Sequence, residues 1–350
     1  MFNVENLEKM VTEGYIHKIP HENGLYHLLN YTPLAAFKKV WNFETLNSRG
    51  TVIDNEYNII SKPMEKFFND FEVTEGLIPY HLPFDAFTKL DGSCIIVRRL
   101  GDELLVNTRG SFKSPQSQMA HLLLKEKYNI NDFDPNYTYI FEYIGLENRI
   151  VVLYKESDVV LLTMYDMRTL EEVEYDQFPK HFNIVKRYDG LDIETMKSLD
   201  IPNEEGFVVR FSNGFRMKLK MKTYMSLHGI VTGLSSRKVW ELMKDGKSLE
   251  EIASALPDEF YEFATKTKTQ LQDKFDAIES KVQIAQMGLA FAGLTERKDK
   301  ALWIQANAKD VAPYMYAWLD GKDFTAGIWK SIYPPYISPF EERAKLTGEN

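Results

Sequence analysis

The spacing of apolar residues changes its period near residue 230, and this change constrains the fold more than any other feature. Before it, short apolar runs alternate with turn-forming sequences such as Leu100-Gly101-Asp102 and Ser212-Asn213-Gly214, a pattern typical of β-hairpins. After it, apolar residues recur at steps of four and three, which places them on one face of a helix: Leu271, Phe275, Ile278, Val282, Ala285 and Leu289. The sequence therefore predicts an α+β fold, with antiparallel sheets flanked by helices and an all-α C-terminal domain.

The periodicity also predicts individual elements. The predicted strands are Thr51–Ile53, Ser93–Leu100, Glu103–Thr108, Tyr137–Ile144, Ile150–Tyr154, Val159–Tyr165, Phe207–Phe211 and Phe215–Met221. Helices are expected near the N-terminus and at Ser117–Tyr128, Glu296–Ala308, Val311–Leu319 and Phe324–Ile332. With 350 residues the chain is long for one core, and we place the two domains at residues 1–235 and 236–350.

Composition narrows the class of protein. The chain is 44% hydrophobic and 27% charged, as expected of a soluble globular protein, and it has no apolar run long enough to cross a bilayer. The first residues are polar, so no secretory signal is visible. The single cysteine, Cys94, excludes an internal disulfide and a multi-cysteine zinc site. The single cysteine fits a reducing cytoplasm. We expect a monomer, although composition does not determine the oligomeric state.

Charge is distributed unevenly along the chain. The formal net charge is −9, yet no Asp or Glu occurs between Gly206 and Trp240. The same tract contains seven cations: Arg210, Arg216, Lys218, Lys220, Lys222, Arg237 and Lys238. Such a tract is able to hold phosphates, and a solvated basic surface is the alternative that charge alone leaves open.

The sequence Lys89-Leu90-Asp91-Gly92 provides a candidate nucleophile. A lysine attacks an electrophilic phosphorus only as the neutral amine, which burial or neighbouring cations favour. The glycine lets the backbone approach a phosphate closely. By itself such a short motif is weak, and a surface hairpin turn explains it equally well.

Three further segments strengthen this interpretation. Glu142 lies within an apolar strand, where a carboxylate needs a partner, and Glu205 precedes another strand. Lys218 and Lys220 alternate along a strand and therefore share a side. Together these residues supply a nucleophile, oxygen ligands and cations, which is what phosphoryl transfer requires. A structural ion pair between Glu142 and Arg149 is the alternative for that acid.

In this order and spacing, the chain resembles the lysine-dependent covalent nucleotidyltransferases, which include DNA ligases, RNA ligases and capping enzymes. Within them it is most similar to the T-even phage-type RNA ligases that repair cleaved tRNA, over residues 26–228. Their hallmarks are Ser48-Arg49-Gly50, Ser61 to Asn69, Thr108 to Ser111, Asn148 to Val151 and Tyr224 to His228. A DNA ligase usually has arginine where this chain has Cys94, which counts against that branch.

The resemblance implies a role for each matched position. It implies that Lys89 carries AMP, that Gly92 belongs to the nucleophile motif, that Glu142 binds the ribose and that Glu205 positions Mg²⁺ or Mn²⁺. The remaining implied nucleotide-binding residues are Tyr31, Arg49, Lys66, Phe68, Arg109, Lys218, Lys220 and Tyr224. Arg109 replaces the family's lysine, and the two cations differ in geometry. Glu142, Glu205, Lys218 and Lys220 are implied to be catalytic together with Lys89.

The implied function is ATP-dependent joining of 5′-phosphate and 3′-hydroxyl RNA ends through lysyl-AMP and RNA-adenylate, in RNA repair with cleaved tRNA as a candidate substrate. A capping-type guanylyltransferase and a non-catalytic RNA-binding protein on a ligase fold are the alternatives. The C-terminal domain is expected to contact RNA, with candidate residues that share aromatic or basic character: Tyr314, Tyr316, Trp318, Trp329 and Lys330. The seven histidines show no metal-ligand spacing.

Overall fold

A computed structural model describes residues 2–74, 76–145, 148, 150–231, 233–247 and 261–337. The chain divides into two compact units, Met1–Val231 and Thr232–Asn350, a division four residues before the boundary predicted from the sequence. No helix among the described residues is long and apolar enough to cross a membrane.

The first unit is built mainly from β-strands. Its helices are α1 (Val4–Thr12), α2 (Pro33–Phe37), α3 (Phe43–Asn47), α4 (Pro115–Lys127), α5 (Ile193–Ser198) and α6 (Lys222–Val231). Its first seven strands are β1 (Ile16–Pro20), β2 (Tyr26–Tyr31), β3 (Arg49–Asp54), β4 (Ile59–Ser61), β5 (Phe68–Asn69), β6 (Phe84–Lys89) and β7 (Ser93–Leu100). The others are β8 (Glu103–Thr108), β9 (Tyr137–Ile144), β10 (Asp158–Asp166), β11 (Glu171–Glu172), β12 (Arg187–Tyr188), β13 (Gly206–Phe211) and β14 (Arg216–Lys220).

These strands form three sheets. The first has the order β1-β2-β3-β4, the second β11-β10-β9-β7-β8, and the third β12-β6-β13-β14-β5. The strand pairs of the described residues are antiparallel except β14 with β5. Ser114 caps the N-terminus of helix α4, since its side chain accepts a hydrogen bond from the Ser117 amide. The helix buries Ala120 and Leu124 against the second sheet. The predicted antiparallel α+β architecture is thus confirmed.

The predicted strands Ser93–Leu100, Glu103–Thr108 and Tyr137–Ile144 are confirmed with these bounds. The predicted strand Ile150–Tyr154 is wrong, because this segment has no strand pairing in the structure. Its amides bind side chains instead: Val151 and Val152 donate to one carboxylate oxygen of Asp91, each at 2.8 Å, and Leu153 donates to the Asn203 side chain. An apolar run therefore became a loop, since its hydrogen bonds were satisfied without a neighbouring strand.

The second unit is helical where the structure describes it. Its helices are α7 (Ser236–Lys244), α8 (Tyr261–Phe291), α9 (Arg297–Asn307), α10 (Ala312–Leu319) and α11 (Thr325–Ser331). The predicted stripe lies on α8: Val282, Ala285 and Leu289 pack with Ile304 and Met315. The amphipathic spacing therefore predicted the buried face of this helix correctly.

Candidate active site

The candidate site is centred on strand β13, which lies between β6 and β14. Gly206, the first residue of β13, is paired with Lys89 on one side and with Lys220 on the other. Glu205 immediately precedes this position and contacts both lysines. Its Oε2 lies 2.7 Å from Nζ of Lys89, and its Oε1 lies 3.0 Å from Nζ of Lys220. The strand register thus brings Lys89, Glu205 and Lys220, which are distant in the sequence, into one ion-paired cluster.

Glycine is required at two points of this arrangement. Gly206 has φ of +146°, and a Cβ there would lie 1.9 Å from the Leu219 carbonyl oxygen. At Gly92 a Cβ would lie 2.3 Å from the carbonyl oxygen of Tyr143 on β9. A side chain at either position would separate the strands that carry the charged residues, because protein atoms cannot approach so closely. The close packing at Gly92 also brings the nucleophile motif against Glu142, the neighbour of Tyr143.

Asp91 fixes the loop that follows Lys89. Asp91 is 2% exposed. One of its carboxylate oxygens accepts hydrogen bonds from the amides of Val151 and Val152. The other accepts a hydrogen bond from the Tyr224 hydroxyl at 2.8 Å. The Asp91 amide donates to the Tyr154 hydroxyl at 2.9 Å. A buried carboxylate with several donors is held in one orientation. The motif aspartate therefore connects the Lys89 loop to the segment after β9 and to α6.

Several cations lie near Lys218. Burial and the nearby charges of Lys66, Lys89, Arg49 and Lys220 together lower the pKa of Lys218 to about 7. Nη1 of Arg49 is a buried atom without a hydrogen-bond partner among the described residues. Like charges held close together are costly unless an anion is bound between them. This cluster is therefore suited to bind a polyanion.

Glu142 is affected by its surroundings in the opposite sense. Burial raises the pKa of Glu142 to about 8, with the negative charges of Glu205 and Asp91 adding to the rise and Lys89 and Arg49 opposing it. Across the sheet, Glu142 is paired with Cys94, and burial raises the pKa of that thiol to about 11. Near neutral pH, Cys94 is thus a neutral packing residue, whereas Glu142 is poised to hydrogen-bond as donor or acceptor.

Aromatic rings form one wall beside the cations. Nζ of Lys66 lies 4.7 Å from the ring centre of Phe68 and 5.7 Å from that of Tyr31. Arg109 donates from Nη1 to the Tyr31 hydroxyl at 2.8 Å. Lys218 and Arg49 both lie over the ring of Phe67, at 5.1 and 6.0 Å. These contacts help to position the cations by cation–π attraction, which adds no negative charge to the site.

A cavity of about 210 Å³ opens beside the cluster. Residues of the second and third sheets form its walls, including Leu162 and Val208. Five of the predicted site residues line it: Arg49, Lys89, Gly92, Glu142 and Lys218. Glu205 and Lys220 adjoin through the ion pairs, and Nζ of Lys220 lies 5.2 Å from the ring of Tyr224. The structure thus brings the predicted positions into one neighbourhood within the first unit.

Comparisons with known proteins decide the family. A family model described as RNA ligase matches residues 47–224, half of the chain, and the match includes the motifs from Arg49 to Tyr224. The chain belongs to the RNA ligase family. An RNA ligase of Rhodothermus phage RM378 is 23% identical over 363 residues, covering 79% of this chain and 80% of that protein. The family resemblance inferred from the motifs is confirmed, and the chain is an enzyme of the ligase class.

Solved structures show more distant likeness. An archaeal ATP-dependent RNA ligase has a TM-score of 0.46 at 13% identity, covering 91% of this chain and 96% of that chain. A Naegleria gruberi RNA ligase with pyrophosphate has a TM-score of 0.34 at 20% identity, covering 41% of this chain and 51% of that chain. The matched part of this RNA ligase therefore spans about half the length of the Naegleria protein, and likeness at these TM-scores carries no functional argument.

The basic tract of the ligase has two separate uses. Lys218 and Lys220 belong to the charged cluster, whereas Arg216 and Arg210 form ion pairs with Glu172 on β11, the latter at 3.0 Å. Arg210 also pairs with Glu174 at 3.3 Å. Neither phosphate binding nor a solvated basic surface explains the whole tract. Part of it belongs to the candidate site, and part joins the second sheet to the third.

Sequence reasoning missed several residues that shape this site. Asp91 was recognised only as a motif letter, and Tyr154 was placed in a strand. Asn148, which accepts the Ser93 hydroxyl at 3.0 Å and donates to the Tyr143 carbonyl at 2.8 Å, appeared only within a family hallmark. The alternative pairing of Glu142 with Arg149 concerns a residue outside the described part of the chain. The family motif marked Asp91, but no local pattern distinguishes Tyr154 from an ordinary core tyrosine.

The residues present are compatible with a divalent ion that arrives with a nucleotide. No group of three or more His, Cys, Asp or Glu side chains that could hold a metal occurs among the described residues. Mg²⁺ commonly binds one or two carboxylates and completes its shell with phosphate and water. Glu205 and Glu142 supply carboxylates beside the phosphate-sized cation cluster, which fits this mode and does not fit a preassembled protein cage.

Proposed function

We propose that this chain is an ATP-dependent RNA ligase in which Lys89 is the nucleophile. The observation that carries the proposal is the placement of Lys89 among the residues that line a cavity, with its ammonium 2.7 Å from Glu205 and its charge among those that act on Lys218. Such a site orients a nitrogen nucleophile and stabilises the charge of a polyphosphate. The family membership supports the reaction class, and the local geometry supports the choice of residues.

In the first step, the Lys89 amine attacks the α-phosphorus of ATP. A P–N bond forms, the P–O bond to pyrophosphate breaks, and the amine proton passes to solvent. In the second step, a 5′-phosphate oxygen of RNA attacks the same phosphorus, so that the P–N bond breaks and the amine regains a proton. In the third step, an RNA 3′-hydroxyl oxygen attacks the phosphorus of the activated 5′-phosphate. A phosphodiester P–O bond forms, the P–O bond to AMP breaks, and the hydroxyl proton passes to solvent. The overall exchange conserves atoms and needs no oxidant or reductant.

The other residues have supporting roles in this proposal. Glu142 receives the ribose hydroxyls, and Gly92 leaves room for the nucleotide. Lys218 and Lys220 stabilise the α-phosphate, while the outer phosphates contact a further set: Arg49, Lys66 and Arg109, with Tyr31, Phe68 and Tyr224 supporting them. A Mg²⁺ or Mn²⁺ ion held by Glu205 and the phosphates would supply additional charge neutralisation.

We propose that the second unit contacts RNA. Of the residues predicted for this contact, three pack against helical cores and therefore have less surface on which RNA bases can stack: Tyr314, Tyr316 and Trp329. Exposed rings occur instead at Tyr333 and Tyr336, 50% and 53% exposed, with the Arg237 guanidinium 5.2 and 5.9 Å from their centres. Exposed rings beside cations are suited to single-stranded RNA.

The RNA contact requires its own test. Arg237→Ala and Tyr333→Ala, each in the full chain, should weaken sealing of RNA more than labelling by ATP. Equal effects on both reactions would contradict an RNA contact. Trp318 (39% exposed) and Lys330 are the predicted residues left at the surface, and their alanine variants serve as a comparison.

The central experiment separates the ligase from its alternatives. The full chain is incubated with α-labelled ATP or GTP and Mg²⁺, and protein-bound label is measured. We expect label from ATP and loss of that label in Lys89→Ala. Label from GTP alone would support a capping-type guanylyltransferase, and label from neither nucleotide would support a non-catalytic RNA-binding protein.

A second measurement tests the RNA ends. The enzyme is given RNA that already carries a 5′-adenylate, together with an acceptor bearing a 3′-hydroxyl, in the absence of ATP. Joined product is expected, because the third step requires no lysine nucleophile. A comparison of nicked tRNA anticodon loops with unstructured RNA then tests the proposed role in tRNA repair in the cytoplasm, and sedimentation tests the proposed monomer.

A further inference from the structure

Three aromatic rings surround the ammonium of Lys66. Lys66 is 4% exposed. Its Nζ lies 4.7 Å from the ring centre of Phe68, 5.4 Å from that of Trp41 and 5.7 Å from that of Tyr31. Trp41 also joins the other two rings to each other, with edge-to-face contacts of 5.3 Å to Tyr31 and 5.4 Å to Phe68. We call Tyr31, Trp41 and Phe68 the aromatic cage.

Backbone contacts fix both the cage and the lysine. Trp41 lies in the turn between α2 and α3, where its amide donates to the Lys39 carbonyl at 3.0 Å. The Lys66 amide donates to the Leu46 carbonyl of α3 at 2.7 Å. The two residues are 25 positions apart in the chain, yet α3 holds their segments together, and their side chains consequently meet in a defined geometry.

The chemistry of the cage suits an anion-binding lysine. Lys66 is one of the cations that lower the pKa of Lys218, so it lies within the electrostatic reach of the cluster next to Lys89. Ring faces attract the ammonium and add no net charge. The cage therefore restricts where the Lys66 ammonium lies without adding an anion to the cluster.

We propose that Trp41 is a positioning residue for the pyrophosphate portion of ATP, acting through the ammonium of Lys66. The ligand chemistry is that of an inorganic polyphosphate, and the assignment of this polyphosphate to ATP rests on the proposed ligase function. Trp41 lies outside the motifs that identified the other nucleotide-binding positions, and it completes a cage to which Tyr31 and Phe68 contribute the other rings.

Binding of inorganic pyrophosphate to the full chain tests the proposal directly. Calorimetry in Mg²⁺ buffer compares the wild type with Trp41→Leu, which removes the ring, and Trp41→Phe, which retains one. We expect the dissociation constant to rise about tenfold for leucine, the effect of a desolvated cation–π contact, and less than about threefold for phenylalanine. Trp303→Leu in the second unit is the matched control, with the wild-type constant expected. Circular dichroism establishes that each variant is folded.

A double-mutant cycle tests whether Trp41 acts through Lys66. In the Lys66→Met background, Trp41→Leu should weaken pyrophosphate binding by less than about twofold, since the group that it positions is gone. An undiminished tenfold loss in that background would overturn the proposal, and so would a wild-type affinity in Trp41→Leu. A wild-type chain that binds no pyrophosphate would overturn it as well.

The reaction steps separate this role from a general loss of structure. Trp41→Leu should raise the ATP concentration needed for half-maximal labelling about tenfold and should affect sealing of pre-adenylated RNA less, because that step contains no pyrophosphate. Equal loss in both reactions would contradict a polyphosphate-specific role. The titration with pyrophosphate does not need lysyl-AMP to form. A chain that binds pyrophosphate through Trp41 yet takes no label would therefore overturn the proposed function and leave the cage in place.

Discussion

Two glutamates in the first unit, one buried and one partly buried, are each bound by two cations, and the cations differ. Glu205 lies between Lys89 and Lys220, at 2.7 and 3.0 Å. Glu172 lies between Arg210 and Arg216. Both clusters contain residues that line the same cavity. The comparison separates charge that is arranged for chemistry from charge that is arranged for structure.

The choice of cation explains the difference. An arginine keeps its charge in proteins and offers a rigid set of five donors, whereas a lysine is a flexible point charge that can lose its proton. Glu172 on β11 therefore receives a permanent clamp that connects two sheets, since both arginines lie on the third sheet. Glu205 receives two lysines, one of which is the residue proposed to form a bond to phosphorus. The lysine cluster retains a reactive nitrogen, and the arginine cluster does not.

Replacing the reactive lysine by an arginine should have the largest effect. Lys89→Arg preserves a cation beside Glu205, so the ion pair and the fold should persist. Arginine is not deprotonated in proteins, and labelling by α-labelled ATP should therefore fall at least about a thousandfold. The measurement is protein-bound label after gel electrophoresis, with thermal unfolding as the control for folding. Label retained by a folded Lys89→Arg protein would show that another residue is the nucleophile.

Removing the charge of the acid between the two lysines should have the next largest effect. Glu205→Gln keeps the size of the side chain but leaves Lys89 and Lys220 without their shared anion. Loss of one preorganised electrostatic partner commonly costs about a hundredfold in rate, and we expect a fall of that order in single-turnover labelling. Wild-type labelling by this variant would mean that Glu205 only holds strands together. In that case the contrast with Glu172 would disappear.

The members of the lysine cluster could be named from the sequence, but the acid of the arginine cluster could not. Lys89, Glu205 and Lys220 each belong to a recognisable motif, and antiparallel pairing brings motif ends together. Glu172 is separated from Arg210 and Arg216 by 38 and 44 residues and follows no motif. Its pairing depends on how two sheets pack, and packing of distant strands has no local sequence signal. Those arginines could therefore be recognised only as part of a basic tract.

The failed strand prediction has the same origin. An apolar run at residues 150–154 satisfies the strand pattern, yet its amides bind the carboxylate of Asp91, some sixty residues earlier. Periodicity reports which residues are apolar and does not report where their backbone hydrogen bonds go. The fold class, the bounds of three strands and the charged motifs were accessible from sequence. The Asp91 contacts and the aromatic cage required the tertiary structure.

Disrupting the arginine cluster should reduce stability more than chemistry. Glu172→Ala leaves two partly buried guanidinium groups without their shared carboxylate. Breaking a buried pair costs about 3 kcal/mol, which is the upper end of the effect expected here. Urea unfolding of the chain should show a loss of that order. Labelling by ATP, measured at a temperature where the variant is folded, should stay within about threefold of wild type. A large increase in the ATP concentration needed for labelling would instead place Glu172 in nucleotide binding.

The smallest expected effect concerns Glu142, a partly buried acid beside the lysine cluster. Its pKa rises from the ordinary 4.5 to about 8 in the folded chain, so the folded state binds this proton more tightly than the unfolded chain does. The contribution of Glu142 to the free energy of unfolding therefore falls as pH increases from about 4.5 to about 8, and the loss is complete above that range. Glutamine has no such titration, and Glu142→Gln should consequently unfold at a higher temperature than wild type at pH 8.5, by about 2 °C or more.

The pH dependence of that difference is what distinguishes charge from packing. Near pH 4.5 the two proteins should have nearly equal unfolding temperatures, because the wild-type carboxyl is then protonated in the folded state. The comparison is made by calorimetry without nucleotide, and the titration of Lys218 is common to both proteins and cancels. A difference of the same size at pH 4.5 and pH 8.5 would attribute it to packing of the amide. A difference that grows with pH would show that the ligase tolerates a destabilising carboxylate at this position, as expected if Glu142 is retained to bind the ribose.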